Sequence, residues 1–181
     1  DLAIRIARAA AGLGLGTVSV YSQDDAASLH VRKTDASRAL PGTGVPAYLD
    51  IDAVIAAARE TGCDSVHPGY GFLSENAAFA QACAKAGLVF VGPSPQTLDL
   101  FGDKAKARAL ATRLGVPVLP GTGGATTLEE AQAFFQSQQG GPGGEAAVMI
   151  KAVAGGGGRG MRIVRRADEV AGAWERCRSE A

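Results

Sequence analysis

The sequence predicts an α/β fold: a doubly wound parallel sheet followed by the start of a smaller α+β unit. Three observations carry this. Short β-branched runs alternate with helical patterns through the first hundred residues. Glycines punctuate the links between them, which is the rhythm of strand–helix–strand repeats with right-handed crossovers and helices on both faces. After Gly115 the pattern breaks at "VPVLPGTGGATT", a Pro/Gly/Thr linker, and a different module follows.

The elements are justified in chain order. Leu2, Ile4, Ile6, Ala9, Ala10 and Leu13 form an apolar helical stripe over about 2–12, which ends at Gly12 or Gly14. "TVSVY" (Thr17 to Tyr21) is a short buried strand. "SQDDAASLH" is a polar loop, and "ASRAL" is a second short strand before the turn "PGTG". Asp50 or Asp52 opens the helix "IDAVIAAARETG", which Gly62 closes. "CDSVH" is a strand. "SENAAFAQACAKAG" is a helix with Ser74 as N-cap and Gly87 just past its end. "LVFVG" is the next strand, and "SPQTLDLFG" and "DKAKARALATRLG" are successive helices, with Asp103 favourable at an N-terminus.

Beyond the linker come a helix "LEEAQAFFQSQQ", a turn "GGPGG", the strand "AAVMIKAV", a glycine loop, the strand "MRIVR" and a helix from about Asp168. The two strands are close enough in sequence to pair as a hairpin. The chain lacks an initiator Met, opens inside a helical pattern with no strand before it, and stops inside another. Both ends are therefore expected to be cut from something longer.

Composition excludes several classes. Hydrophobic residues make up 46% and charged residues 20%, ordinary values for a soluble globular protein. A formal net charge of zero argues against a general nucleic-acid binder or a polybasic membrane anchor. Residues 1–100 carry 7 Lys+Arg against 10 Asp+Glu, and residues 101–181 carry 11 against 8, so the second part is the better host for an anion. Cys63, Cys83 and Cys177 have no CxxC spacing, and only His30 and His67 accompany them. No zinc site is expected, and free thiols point to a reducing, cytoplasmic compartment. No run approaches the roughly 20 apolar residues a membrane span needs, and no signal peptide is visible.

Three glycine clusters compete for chemistry. "GLGLG" follows a helix and precedes a strand, the reverse of a dinucleotide fingerprint, so it reads as a helix stop. "GGPGG" has no neighbouring lysine and reads as a surface turn. "KAVAGGGGRGMR" lacks the GK[ST] of a Walker loop, yet it has the ingredients of phosphate binding. Gly155, Gly156, Gly157 and Gly158 let backbone N–H groups approach an anion. Lys151 is a fixed cation at a strand end, and Arg159 and Arg162 add charge. The expectation is a flap that closes over a polyphosphate and opens for release. Lys104, in "FGDKAKAR", is by itself a surface lysine.

"HPGYGFLSENAAFAQACAKAGLVFVGPSPQTLDLFGDKAKARALATRLGVPVLPGT", with "IKAVAGGGGRGMRIV", resembles the biotin carboxylase family of ATP-grasp enzymes. "TVSVYSQDDAASLHV" and "AYLDIDAVIAAA" fit the same family, so the resemblance spans essentially the whole chain. It implies an N-terminal (pre-ATP-grasp) domain over 1–101 and the first part of an ATP-grasp domain with its glycine-rich lid over 102–181. It implies a ligase that uses ATP, Mg2+ (or Mn2+) and bicarbonate to carboxylate N1′ of carrier-bound biotin. It implies ATP contacts from Lys104, Lys151, residues 155–158 and Met161, and a biotin-facing position for Tyr70 and Gly71. Implied partners are a biotin carboxyl carrier, a carboxyltransferase and further copies of the chain. His67-Pro68 reads as a structural turn, and Glu75, in a helix's first turn, as a structural residue that suits the dipole.

The departures from the family matter. Ala154 stands where the family commonly has another glycine. No catalytic residue and no metal ligand is expected within these residues. Glu129, Glu130 and Glu145 are not paired as a magnesium site would need, and the ligands for metal, bicarbonate and biotin are expected beyond Ala181. The chain alone is expected to be inactive. Two other readings stay open: another ATP-grasp ligase, such as a carbamoyl-phosphate synthase large chain, and a nucleotide-binding module without turnover. The resemblance leaves the final carboxyl acceptor undecided among acetyl-CoA, propionyl-CoA, other acyl-CoA, pyruvate and urea.

Overall fold

The structure, a computed structural model, describes residues 2–139, 147–152 and 160–180. It divides into two compact units, Asp1–Gly102 and Asp103–Ala181. The turn "GGPGG" and the four glycines 155–158 lie outside the described residues, as do Ala154, Arg159 and Glu145.

The first unit runs α1 (Leu2–Gly12), β1 (Val18–Tyr21), β2 (Ala36–Ala39), α2 (Gly44–Leu49), α3 (Ile51–Glu60), β3 (Ser65–Val66), α4 (Ala77–Lys85), β4 (Val89–Phe90) and α5 (Pro95–Gly102). Its two ladders are parallel, as the repetition predicts. β1 pairs with β2 in the register Val18↔Ala36 to Tyr21↔Ala39, and β3 pairs with β4. They stay two separate pairs among the described residues. Two short 3-10 turns, Gln23–Asp25 and Leu29–Arg32, fill the β1–β2 crossover.

Local chemistry explains the helices. Asp50 caps α3 by accepting from the Ala53 N–H at 3.0 Å. α4 ends in a Schellman closure: Leu88 N–H reaches the Cys83 carbonyl at 2.9 Å while Gly87 sits at φ 74°. The core gathers Leu40, Val54, Ala57, Leu73, Phe79, Cys83 and Leu88. Phe79, 1% exposed, meets Phe90 edge to face at 5.8 Å. Burying such a ring contributes about 1.5–3 kcal/mol.

Three expectations need correction. The N-cap of α4 is Asn76, not Ser74: Asn76 Oδ1 accepts from Phe79 N–H at 2.9 Å. Ser74 is used earlier, its N–H closing a turn onto the Gly71 carbonyl. Glu75 therefore precedes the cap and lies outside the first helical turn. The helix α2 was also not foreseen, because Gly44 and Pro46 read as turn residues. Pro46 lies in the first turn of α2, where its missing N–H has no helical partner to lose.

The second unit holds α6 (Lys104–Arg113), α7 (Leu128–Ser137), β5 (Val148–Lys151), β6 (Met161–Val164) and α8 (Val170–Ser179). Residues 114–127 carry no helix or strand, as the Pro/Gly/Thr composition predicts. A capping box opens α7, with Thr127 Oγ1 accepting from Glu130 N–H and Glu130 accepting from Thr127 N–H. Glu130 is thereby committed to structure. Phe135, Val164, Val170 and Ala173 form the core, flanked by Val148 and Ile150. Trp174 Nε1–H ties the end of the linker down by donating to the Thr126 carbonyl at 3.0 Å. Among the described residues no helix is long and apolar enough to cross a membrane.

Candidate functional site

β5 and β6 form the antiparallel hairpin that the spacing predicts, with Val148↔Val164, Met149↔Ile163, Ile150↔Arg162 and Lys151↔Met161 opposite one another. Alternation splits the residues between two faces. Val148, Ile150 and Val164 turn to the core. Met149, Lys151, Met161 and Ile163 share the exposed face. Lys151 and Met161 are thus direct cross-strand neighbours: a cation beside an apolar side chain, both open to solvent. Among the described residues no carboxylate pairs with Lys151.

The mouth of this hairpin is built tightly. Ala152 N–H donates to the Gly160 carbonyl at 2.7 Å, which extends the ladder by one step. Gly160 adopts φ 66°, and a Cβ there would lie 2.6 Å from the Ala152 Cβ. Only glycine meets both demands. Gly160 N–H in turn donates to Glu180 Oε2 at 3.2 Å, and Arg162 pairs with the other oxygen of that carboxylate. The Cys177 thiol, buried under the same hairpin, donates to the Ile150 carbonyl at 3.7 Å; burial pushes its pKa up, so it stays protonated.

Lys104 is the first residue of α6 and is exposed. Asp103 is the cap, accepting from Ala105 N–H at 2.8 Å and Lys106 N–H at 3.1 Å. The Lys106 N–H above all, then the Ala105 N–H and the charges of Lys106 and Lys104, hold the Asp103 carboxyl below its ordinary range. The cap fixes the backbone from which Lys104 projects.

In the first unit, residues 67–73 form a loop between β3 and α4. His67 Nδ1 accepts from Gly69 N–H at 3.0 Å, the structural turn expected of it. Gly69 and Gly71 sit at φ 73° and 76°, and Phe72 at φ 45°. Tyr70 rises between the two glycines, 86% exposed. Leu73, buried in the core, anchors the far end.

The structure therefore brings Lys151 and Met161 together and sets Tyr70 and Gly71 at the tip of one loop. Lys104 stands on a separate helix of the second unit. Sequence reasoning missed Gly160 and Glu180 as supports of the hairpin mouth. For Gly160 a signal existed, since it immediately precedes a strand across from a small residue. For Glu180 there was none. Among the described residues no three His, Cys, Asp or Glu side chains come together to hold a metal ion.

Residues 1–98 match the family described as biotin carboxylase, N-terminal domain. The chain belongs to that family. Residues 103–181 match the carbamoyl-phosphate synthase L chain, ATP binding domain. The chain is 51% identical over 186 residues to a pyruvate carboxylase of Schizosaccharomyces pombe and 50% identical over 185 residues to one of Bacillus subtilis. Both alignments take in 100% of this chain but only 15% and 16% of those proteins, so it spans a small part of their length. Among solved structures, the biotin carboxylase domain of a single-chain bacterial carboxylase is 58% identical with a TM-score of 0.82, over 96% of this chain and 36% of that one. The biotin carboxylase domain dimer of Hydrogenobacter thermophilus 2-oxoglutarate carboxylase, in complex with MgADP, ADP and bicarbonate, is 36% identical with a TM-score of 0.91, over 99% and 39%.

Proposed function

We propose that the protein carrying this chain is a biotin-dependent carboxylase, a ligase, and that these residues are the opening part of its biotin carboxylase. Its reaction is the ATP- and bicarbonate-dependent carboxylation of carrier-bound biotin. On this reading residues 1–101 are the N-terminal domain and 102–181 begin the ATP-grasp domain. The observation that carries it is the Lys151–Met161 pair on the exposed face of a hairpin in a chain of this family.

Bound ATP would supply the phosphoryl group that activates bicarbonate. The chain's part is to hold it. Lys151 and Lys104 offer positive charge to phosphate oxygens that gain charge during transfer. Met161 offers an apolar contact beside Lys151 for the nucleotide. Glycines 155–158 belong to the same proposal from sequence alone. Tyr70 and Gly71 are read as biotin-facing. The described residues supply no carboxylate set for Mg2+ or Mn2+, so no role in metal binding is assigned to them. The partners are a biotin carboxyl carrier, a carboxyltransferase and further copies of the same chain. Three free cysteines fit a cytoplasmic setting. The final acceptor belongs to the carboxyltransferase, and relatives bear names for pyruvate, 2-oxoglutarate and long-chain acyl-CoA.

The test is bicarbonate-dependent ATP hydrolysis by the full-length protein, with and without free biotin. Biotin stimulation is expected. Lys151→Met should weaken ATP binding by about 1.5–3 kcal/mol, the worth of a charge-assisted contact. Unchanged ATP affinity in that variant would sink the role of Lys151. The carbamoyl-phosphate synthase match over 103–181 favours a second reading, another ATP-grasp ligase. ATP hydrolysis indifferent to biotin would select it.

A further inference from the structure

We propose that Phe72 is a positioning residue for the 67–73 loop, and that its stack on Tyr48 sets where Tyr70 and Gly71 stand. The proposal rests on the reading of that loop as biotin-facing. Among the described residues Phe72 is the non-glycine residue at positive φ. An L-residue there is strained, and such strain persists only where surrounding structure imposes it. Glycine would adopt φ 45° freely, yet the chain carries a phenyl ring there instead. Core burial does not account for this, because Phe72 is 58% exposed.

What the ring does is lie against Tyr48, with centroids 5.5 Å apart and planes 15° from parallel. Tyr48 is a fixed platform. Its hydroxyl donates to Asp25 Oδ2 at 2.7 Å and accepts from Ser22 N–H at 3.1 Å. Ser22, fully buried, follows directly on β1. Asp25 is held in turn by the hydroxyls of Ser28 at 3.1 Å and Ser22 at 3.3 Å. A rigid path therefore runs from β1 through Tyr48 to Phe72, one residue from Gly71 and two from Tyr70. Buried Leu73 pins the chain immediately after. With Phe72 stacked, neither glycine of the loop is free to swing, and the tip bearing Tyr70 keeps one position.

The experiment uses the full-length protein and free biotin, reading KM for biotin, KM for ATP and kcat of the biotin-dependent ATPase. Phe72→Gly removes the stack while relieving the backbone strain, so its two effects on stability oppose each other. It is expected to raise KM for biotin about three- to tenfold, the worth of an aromatic pair, with KM for ATP unchanged. Phe72→Tyr keeps the stack and should restore the parent KM. An unchanged KM for biotin in Phe72→Gly overturns the proposal, as does a parallel rise in KM for ATP, which would report general loosening. Tyr70→Ala separates the two levels. If it raises KM for biotin while Phe72→Gly does not, positioning alone fails. If it leaves biotin dependence untouched, the loop does not face biotin, and the proposal falls with that reading.

Discussion

Gly160→Ala is the sharpest perturbation the structure offers. Two costs add. At φ 66° an L-residue is disfavoured by about 1–2 kcal/mol. The new Cβ would also meet the Ala152 Cβ at 2.6 Å, and overpacking of this kind costs about 1–3 kcal/mol. Loss of glycine freedom in the unfolded chain offsets about 0.4–1 kcal/mol. The net is a destabilisation of the hairpin mouth by about 1–5 kcal/mol. It should appear in the full-length protein as lost hydrogen-exchange protection across β5 and β6, beginning at the Ala152 N–H that Gly160 now accepts. ATP affinity should fall with it, because Lys151 and Met161 are the adjoining pair. Ala152→Gly removes the other half of the contact. In a double-mutant cycle the two sites should couple by about 1–3 kcal/mol, leaving only the backbone cost in the double variant. Coupling near zero would refute the steric argument and place the whole effect in φ.

Asp103→Ala removes the acceptor for two N–H groups at the start of α6, at a cost of about 1 kcal/mol. It should raise KM for ATP by loosening Lys104, whereas Asp103→Asn, which still caps, should not; equal effects from the two would argue for the charge instead. Asp25 gives a pH prediction. Its carboxyl is held below the ordinary range, first by the Tyr48 hydroxyl and then by Ser28. Its contribution to stability is therefore full above about pH 4 and is lost as pH falls through the lowered folded value. Tyr48→Phe raises that folded value, so the thermal midpoint should fall less steeply with acid than in the parent. Identical acid profiles would remove Tyr48 as the cause.

Much of the fold was legible because its signals are local. The closeness in sequence of two short apolar runs around the glycine loop foretold the hairpin of β5 and β6. Asp50, Asp103 and Gly87 marked helix ends through bonds to residues two to four positions away. The same reasoning failed at α4, where Ser74 and Asn76 are equally good caps by type. Only the turn closed by Ser74 N–H on Gly71 decides between them.

The sequence by itself determined the order of strands and helices and which cation stands at the end of β5, and its motifs carried the resemblance to the family. The elements follow from near-neighbour energies: side-chain pattern, capping chemistry and glycine placement. Tertiary structure alone decided what ties down the turn after β1 and the mouth of the hairpin. Tyr48 meets Asp25 across 23 residues, and Gly160 meets Glu180 across 20. Such pairs depend on how intervening turns close and elements cross, and no local propensity encodes which distant carboxylate a given hydroxyl or amide will find.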